Sequence, residues 1–135
     1  MTHREIFERY VYAGAITRNP GAVAELFTED GVYEAPLVPG DHALPRVLEG
    51  REAIRAGVVA YHREPAFIGT VDAERSGLVL HETGDPDVFI AEVDAMLVGA
   101  DGQSATVSLV QIFRVRDGRI AHLRDYFAPP GAPAS

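Results

Sequence analysis

The chain has 135 residues, 47% hydrophobic and 24% charged, the length and balance of one ordinary globular domain with a core of its own. Its formal net charge of −8, without any cluster of Lys and Arg, argues against a nucleic-acid partner, because phosphate contacts need grouped cations. The absence of cysteine removes disulfide frameworks and thiolate metal sites from consideration.

The opening residues, MTHREIFERY, lack the apolar core of a signal peptide, and no apolar run reaches membrane-spanning length. A cytoplasmic protein with no membrane partner is therefore expected. Thr2 and Glu5 have the spacing of a capping box. The helix they open carries Ile6, Phe7, Tyr10, Val11, Ala13 and Ile16 on one stripe as far as Thr17. Asn19-Pro20 supplies an N-cap and a proline at the first helical position, so a second, short helix follows, turning Val23, Leu26 and Phe27 inward. Residues 31–35 read as a strand. The Pro- and Gly-rich stretch 36–48 reads as a loop covering or shaping the mouth of a cavity. A third helix is predicted from Arg51 to His62, with Ile54, Val58, Val59 and Tyr61 as buried positions.

From Ala66 the pattern changes to strands, predicted at 66–72, 77–82, 88–98, 104–116 and 119–127. Asp101-Gly102 and Asp117-Gly118 are hairpin signals between the last three. Helices first and an antiparallel sheet afterwards indicate an α+β fold. No repeat or linker divides the chain, so a single domain over residues 1–128 is expected, followed by a disordered tail over 129–135.

Two strands carry the chemistry. In 88–98, Phe89, Ala91, Val93, Ala95 and Leu97 make one wholly apolar face. Val88, Ile90, Met96 and Val98 make the other, interrupted only by Glu92 and Asp94. A sheet apolar on both sides must be covered on both. The helices can cover one side, so the other is expected to form a homodimer interface. In the last strand, alternation sets Asp125 in a row with Ala121, Leu123 and Phe127, and turns Arg124 and Tyr126 to the opposite side.

The order of a helix, "NPGAVAELFTEDGVYEAP", "LEGREAIRAGV" and "DGRIAHLRDYF" resembles the nuclear-transport-factor-two-like superfamily over roughly residues 3–128. Within it the chain looks most like the SnoaL-like polyketide cyclases, the limonene epoxide hydrolases and the phenazine-biosynthesis PhzA/PhzB proteins. "LRDYF" resembles the end of the epoxide hydrolases, and "AEVDAM" resembles both them and PhzA/PhzB. The resemblance implies a cone-shaped, curved mixed or antiparallel sheet with about three N-terminal helices enclosing one deep pocket. It also implies, against the epoxide hydrolases, that Asp125 is the general base acting on water, Asp94 the acid protonating the ring, and Tyr33 the holder of the water. Ala35 stands where that family has an asparagine, and Glu92 where it has an arginine. Against the ketosteroid isomerases the base aspartate falls on Ala35 and the proton-donating aspartate on Gln111, with Tyr10 or Tyr12 in the place of their tyrosine.

The residues support a related chemistry directly. A carboxylate on an apolar face loses solvation and its pKa rises. A second carboxylate nearby raises one of the pair further and couples the two. Asp94 and Asp125 are thus expected to share a proton, one donating while the other accepts. Glu92, Gln111, Tyr10, Ala35, Phe127 and Met96 are the expected substrate-binding residues, and His62, His81 and His122 are expected at the surface. No cofactor or metal is called for. The expected function is cyclisation or epoxide opening of an apolar, polyketide-like intermediate in secondary metabolism; the alternative is a non-catalytic ligand-binding or dimeric scaffold protein of the same fold.

Overall fold

In a computed structural model of the chain, which describes residues 1–41, 45–63 and 69–128, the first helix, α1 (His3–Val11), starts at a cap written into the sequence. Thr2 Oγ1 accepts from the Glu5 amide at 3.1 Å, and Ile6 and Phe7 turn inward. The helical run continues to Ile16, but Tyr12–Ile16 is wound as a π-helix in which only Ala13 is buried, and Ile16, expected on the inward stripe, is 53% exposed. Its last turn is closed by the Thr17 amide and hydroxyl, which both donate to the Tyr12 carbonyl at 2.8 and 2.9 Å. Arg18 then takes a left-handed backbone (φ 49°) that reverses the chain into Asn19. The Asn19 side chain caps α2 (Pro20–Glu25), accepting from the Ala22 amide at 3.0 Å.

Phe27 belongs to a strand rather than to this helix: β1 spans Phe27–Glu34, four residues longer at its start than the pattern at 31–35 suggests. The stretch read as a loop holds a further short strand, β2 (Val47–Glu49), paired antiparallel to β1. Helix α3 (Arg51–Arg63) follows, then β3 (Thr70–Val71), a 3₁₀ turn (Ala73–Arg75), β4 (Gly77–Glu82), β5 (Val88–Val98), β6 (Ser104–Arg116) and β7 (Arg119–Tyr126). The strand expected at 66–72 is thus described only as its last part, since 64–68 lie outside the described residues, as do 42–44 of the Pro-rich loop and the expected tail over 129–135.

The seven strands form one curved, unclosed, mixed sheet in the order β2-β1-β7-β6-β5, with β3 and β4 paired in succession along the far edge of β5. Among the described strands only β1 and β7 run parallel. Asp117-Gly118 forms a two-residue turn with both φ positive (52° and 76°), the mirror-image geometry whose twist suits a hairpin. Its strand β7 contains a bulge at Ala121: Arg114 faces His122, while Val115 faces Ile120. The extra residue resets the alternation, so Ile120 and Leu123 are both fully buried on the helix side.

All three helices lie on that same concave side. Stacked Phe89 and Phe113 rings (centroids 4.7 Å apart) form the centre of the core, with Phe7 and Tyr10 edge-on to Phe113 at 6.0 and 5.7 Å. Helix α3 approaches β2 so closely that a Cβ at Gly57 would stand 2.4 Å from Leu48 Cδ1. Among the described residues no helix is long and apolar enough to cross a membrane.

Candidate active site

The helices do not fill the concave side. They leave a cavity of about 560 Å³ whose wall is almost entirely apolar. Helix α1 and the π segment supply Tyr10, Val11 and Gly14; α3 supplies Ile54, Val58 and Tyr61; the sheet supplies Tyr33, Leu78, Val93, Leu109 and, from β6 and β7, Gln111 and Asp125. Gln111 and Asp125 are directly opposite each other in the β6–β7 ladder, and Tyr33 is one strand beyond, paired with Leu123. Period-two alternation therefore turns all three side chains into the cavity.

Asp125 is 7% exposed and receives two hydrogen bonds. Tyr33 Oη donates to its Oδ2 at 2.7 Å, and Gln111 Nε2 donates to its Oδ1 at 3.3 Å. No cation faces it among the described residues. Burial raises the carboxyl from 3.8 to about 6, and the two hydrogen bonds, which favour the charged form, offset only part of that rise. Tyr10 and Tyr33 are both held well above the ordinary phenol value, first by burial and then by the Asp125 charge. They are hydroxyl donors at any physiological pH. The site is thus one tunable acid set among neutral donors.

The second carboxylate is elsewhere. Asp94 pairs with Ser108 and Gly77, three residues along from the Ala91–Gln111 pair, and so projects from the convex side of the sheet. It is exposed and accepts from Ser108 Oγ at 2.6 Å. The proton sharing expected between Asp94 and Asp125 is excluded by this geometry, because the sheet stands between them. Glu92 and Met96 alternate with Asp94 and face the same way. Glu92 is exposed and bonded to His81 Nε2 at 2.5 Å. Ala35 is fully buried in the core, outside the cavity wall. Tyr10, Gln111, Phe127, Tyr33 and Asp125 all line the cavity; Glu92, Met96, Ala35 and Asp94 do not.

Wall residues outside the sequence reading include His62, expected at the surface, and Arg18, for which no role is expected. His62 follows Tyr61 on α3, and only the packing direction of that helix reveals that it borders the cavity. Of the described part of the loop 36–48, only Leu48 touches the cavity, and it is a buried residue. Among the described residues no three His, Asp or Glu side chains converge on a possible metal position.

Comparison with known proteins bears on this arrangement. The sequence model of the SnoaL-like domain matches residues 7–123. No curated protein is matched significantly. Solved structures of the same fold include a candidate isomerase from Bacillus subtilis (23% identity, TM-score 0.73, 93% of this chain and 86% of that one). A protein with a ketosteroid isomerase-like fold from Catenulispora acidiphila, solved with trimethylamine, is 24% identical (TM-score 0.66, 98% and 96% covered). A phenazine biosynthesis-related protein from Pseudomonas aeruginosa is 19% identical (TM-score 0.67, 98% and 86% covered).

Proposed function

The chain belongs to the SnoaL-like domain family, and on that premise we propose that it is a cofactor-independent enzyme whose proton-transfer group is Asp125, acting on a largely apolar small molecule of the natural-product type. One observation carries the reading. A carboxyl group titrating at about 6 stands in an apolar chamber, held among the described residues by the uncharged donors Tyr33 and Gln111. A carboxyl in that range is ionised enough at neutral pH to accept a proton and acidic enough to return it.

A single acid of this kind suits intramolecular cyclisation better than epoxide opening. The Asp125 carboxylate removes a proton from a carbon beside a substrate carbonyl. The enolate then attacks a second carbonyl of the same molecule, forming the ring C–C bond, and the protonated Asp125 returns its proton to the new alkoxide. The second amide hydrogen of Gln111 can meet the oxyanion. Epoxide hydrolysis needs one group to activate water while another protonates the ring oxygen, and Asp94, the candidate for that second role, faces away from the cavity.

The test is proton exchange. With an apolar monoketone in D₂O, whose α-hydrogens exchange slowly without a catalyst, the wild type should speed labelling of the α-carbon, followed by mass spectrometry, and Asp125→Asn should slow the catalysed labelling by about 10²–10⁴-fold. Labelling that survives the substitution, or its absence in the wild type, would leave the non-catalytic ligand-binding reading in its place.

We further propose that a second copy of the chain covers the convex face. Val79 and Val110 are 53% and 39% exposed there, with Ile90, Ile112 and Tyr126 half-buried beside them. Acidic Glu92 and Asp94 occupy β5, and basic Arg114 and Arg124 occupy β6 and β7. A two-fold axis can bring the acidic end of one copy against the basic end of the other.

A further inference from the structure

The cavity has two ends of different chemistry. Helix α3 runs along its wall from Ile54, which is 1% exposed, to His62, which is partly exposed and eight residues further on, a distance of about 12 Å. At that outer end His62 shares the cavity wall with Arg18, whose left-handed backbone turns the chain at the end of the π segment. Arg18 is braced by its own Nη2, which donates to the Gly69 carbonyl at 3.2 Å, and Gly69 is also a wall residue. The guanidinium lies near enough to act electrostatically on the imidazole: burial first, and then the Arg18 charge, hold His62 below the ordinary imidazole range, against the pull of the Gly14 carbonyl.

Neither Arg18 nor His62 has a carboxylate partner among the described residues. The wall's other charged groups are Asp125, at the buried end, and Glu8, which pairs with Arg4 at 3.9 Å on α1. A chain with a net charge of −8 thus keeps two nitrogen bases on the outer wall of an apolar chamber with no anion paired to them among the described residues. An anion bound there would meet the Arg18 guanidinium and favour the protonated form of His62, whose charge burial and Arg18 otherwise oppose. An apolar chamber beyond them admits only the uncharged body of such a ligand.

We propose that Arg18 and His62 form an anion-recognition rim, and that the ligand is an amphiphile with an apolar body in the cavity and a carboxylate-type head held at the mouth. The inference deepens the reading of the cavity as a substrate site and specifies the substrate class. It also fixes the orientation, because the head stays at the rim and the reactive carbons are those that reach Asp125. The anion cannot lie at the other end, where the Asp125 carboxylate would repel it.

Two isosteric probes, 2-naphthoate and 2-naphthamide, differ in charge and little else. Titrated calorimetrically into the intact protein at neutral pH and low salt, naphthoate should bind about fivefold more tightly, the upper end for a partly exposed charge contact. Arg18→Gln should bring the two affinities within about twofold of each other, leaving the amide's unchanged as an internal control for folding, and added salt should do the same in the wild type. His62→Gln should lower the preference part of the way. Equal binding of the two probes to wild type, or a preference that persists in the double variant, overturns the rim. Asp125→Asn separates the two proposals: it should retain the naphthoate preference while losing exchange activity, so either can fail alone. Failure of both probes to bind overturns the cavity as a ligand site and this inference with it.

Discussion

Tyr33 donates its hydroxyl proton to Asp125 across 2.7 Å, joining β1 to β7 inside the cavity without bringing a charge into it. The bond favours the carboxylate; burial favours the acid, and burial wins, leaving the group at about 6. Tyr33→Phe removes the bond while keeping the ring. The Asp125 pKa should then rise further, by about one unit. In a pH–rate profile of the exchange reaction the acidic limb should move upward by about one unit, with about twofold loss at neutral pH, larger loss near pH 6 and recovery at alkaline pH. A limb that stays in place would mean that Tyr33 is only packing.

The same burial has a cost in stability, and its sign can be worked out. Folding raises the Asp125 pKa from 3.8 to about 6, so between those limits the folded chain keeps a proton that the unfolded chain has released. Stability should therefore fall as the pH rises through this window and stay level above it. Asp125→Asn abolishes the titration. The variant should be more stable than wild type at slightly alkaline pH, by something on the order of 2 kcal/mol, and no more stable near pH 3.5. Denaturant melts at the two pH values decide it; a variant weaker at both would show the ionised carboxylate to be a net stabiliser.

Asp94→Asn is the matching control. Asp94 accepts from Ser108 on the convex face, with the sheet between it and the cavity. Exchange activity should stay within about twofold of wild type, since the proton-transfer contribution of about 10²–10⁴ belongs to a group that touches the substrate. A loss of that larger size would restore Asp94 to the chemistry.

Why Asp125 was legible and Asp94 misleading is a matter of strand parity. Asp125 follows Leu123 at a spacing of two, and the bulge at Ala121 lies before both, so alternation holds where it matters. Asp94 lies in a strand whose two faces are nearly equally apolar, and hydrophobicity cannot say which is concave. The register does: Ala91 opposes Gln111, which opposes Asp125, and Asp94 is an odd number of residues away. The α+β order, the caps at Thr2 and Asn19 and the Asp117-Gly118 turn were readable because each is a local backbone device. The strand β2 was not, being three residues long among prolines and held by its pairing with β1. The Arg18–His62 rim depends on how a π segment meets the end of α3, and no single window of sequence carries that.

Gly57 illustrates packing that overrides propensity. In mid-helix, glycine to alanine gains about 1 kcal/mol on propensity alone. Here the new methyl would meet Leu48 Cδ1 at 2.4 Å and Cδ2 at 3.0 Å, and Leu48 is itself buried with little room to withdraw. Overpacking of this kind costs about 1–3 kcal/mol. Gly57→Ala should therefore destabilise the fold by about 1 kcal/mol net, measured by thermal or denaturant unfolding. A stabilised variant would mean that α3 can lift off β2 freely.

The convex face yields the last expectation. Val110 is 39% exposed near the middle of the sheet, opposite Glu92 on β5 and Tyr126 on β7. If a second copy covers this face, Val110→Glu buries a carboxylate against its own two-fold mate and against Glu92 of the same chain, with the desolvation and like-charge penalties that go with it. In a monomer the same change adds an exposed charge to a strand surface and costs little, within about 0.5 kcal/mol. Sedimentation at micromolar concentration should thus give a dimeric wild type and a monomeric variant that melts as a folded protein at lower temperature. A wild type that sediments as a monomer would refute the second copy altogether, and a variant that stays dimeric would move the interface away from this face. The apolar side chains of β4, β5 and β6 would then need a different cover.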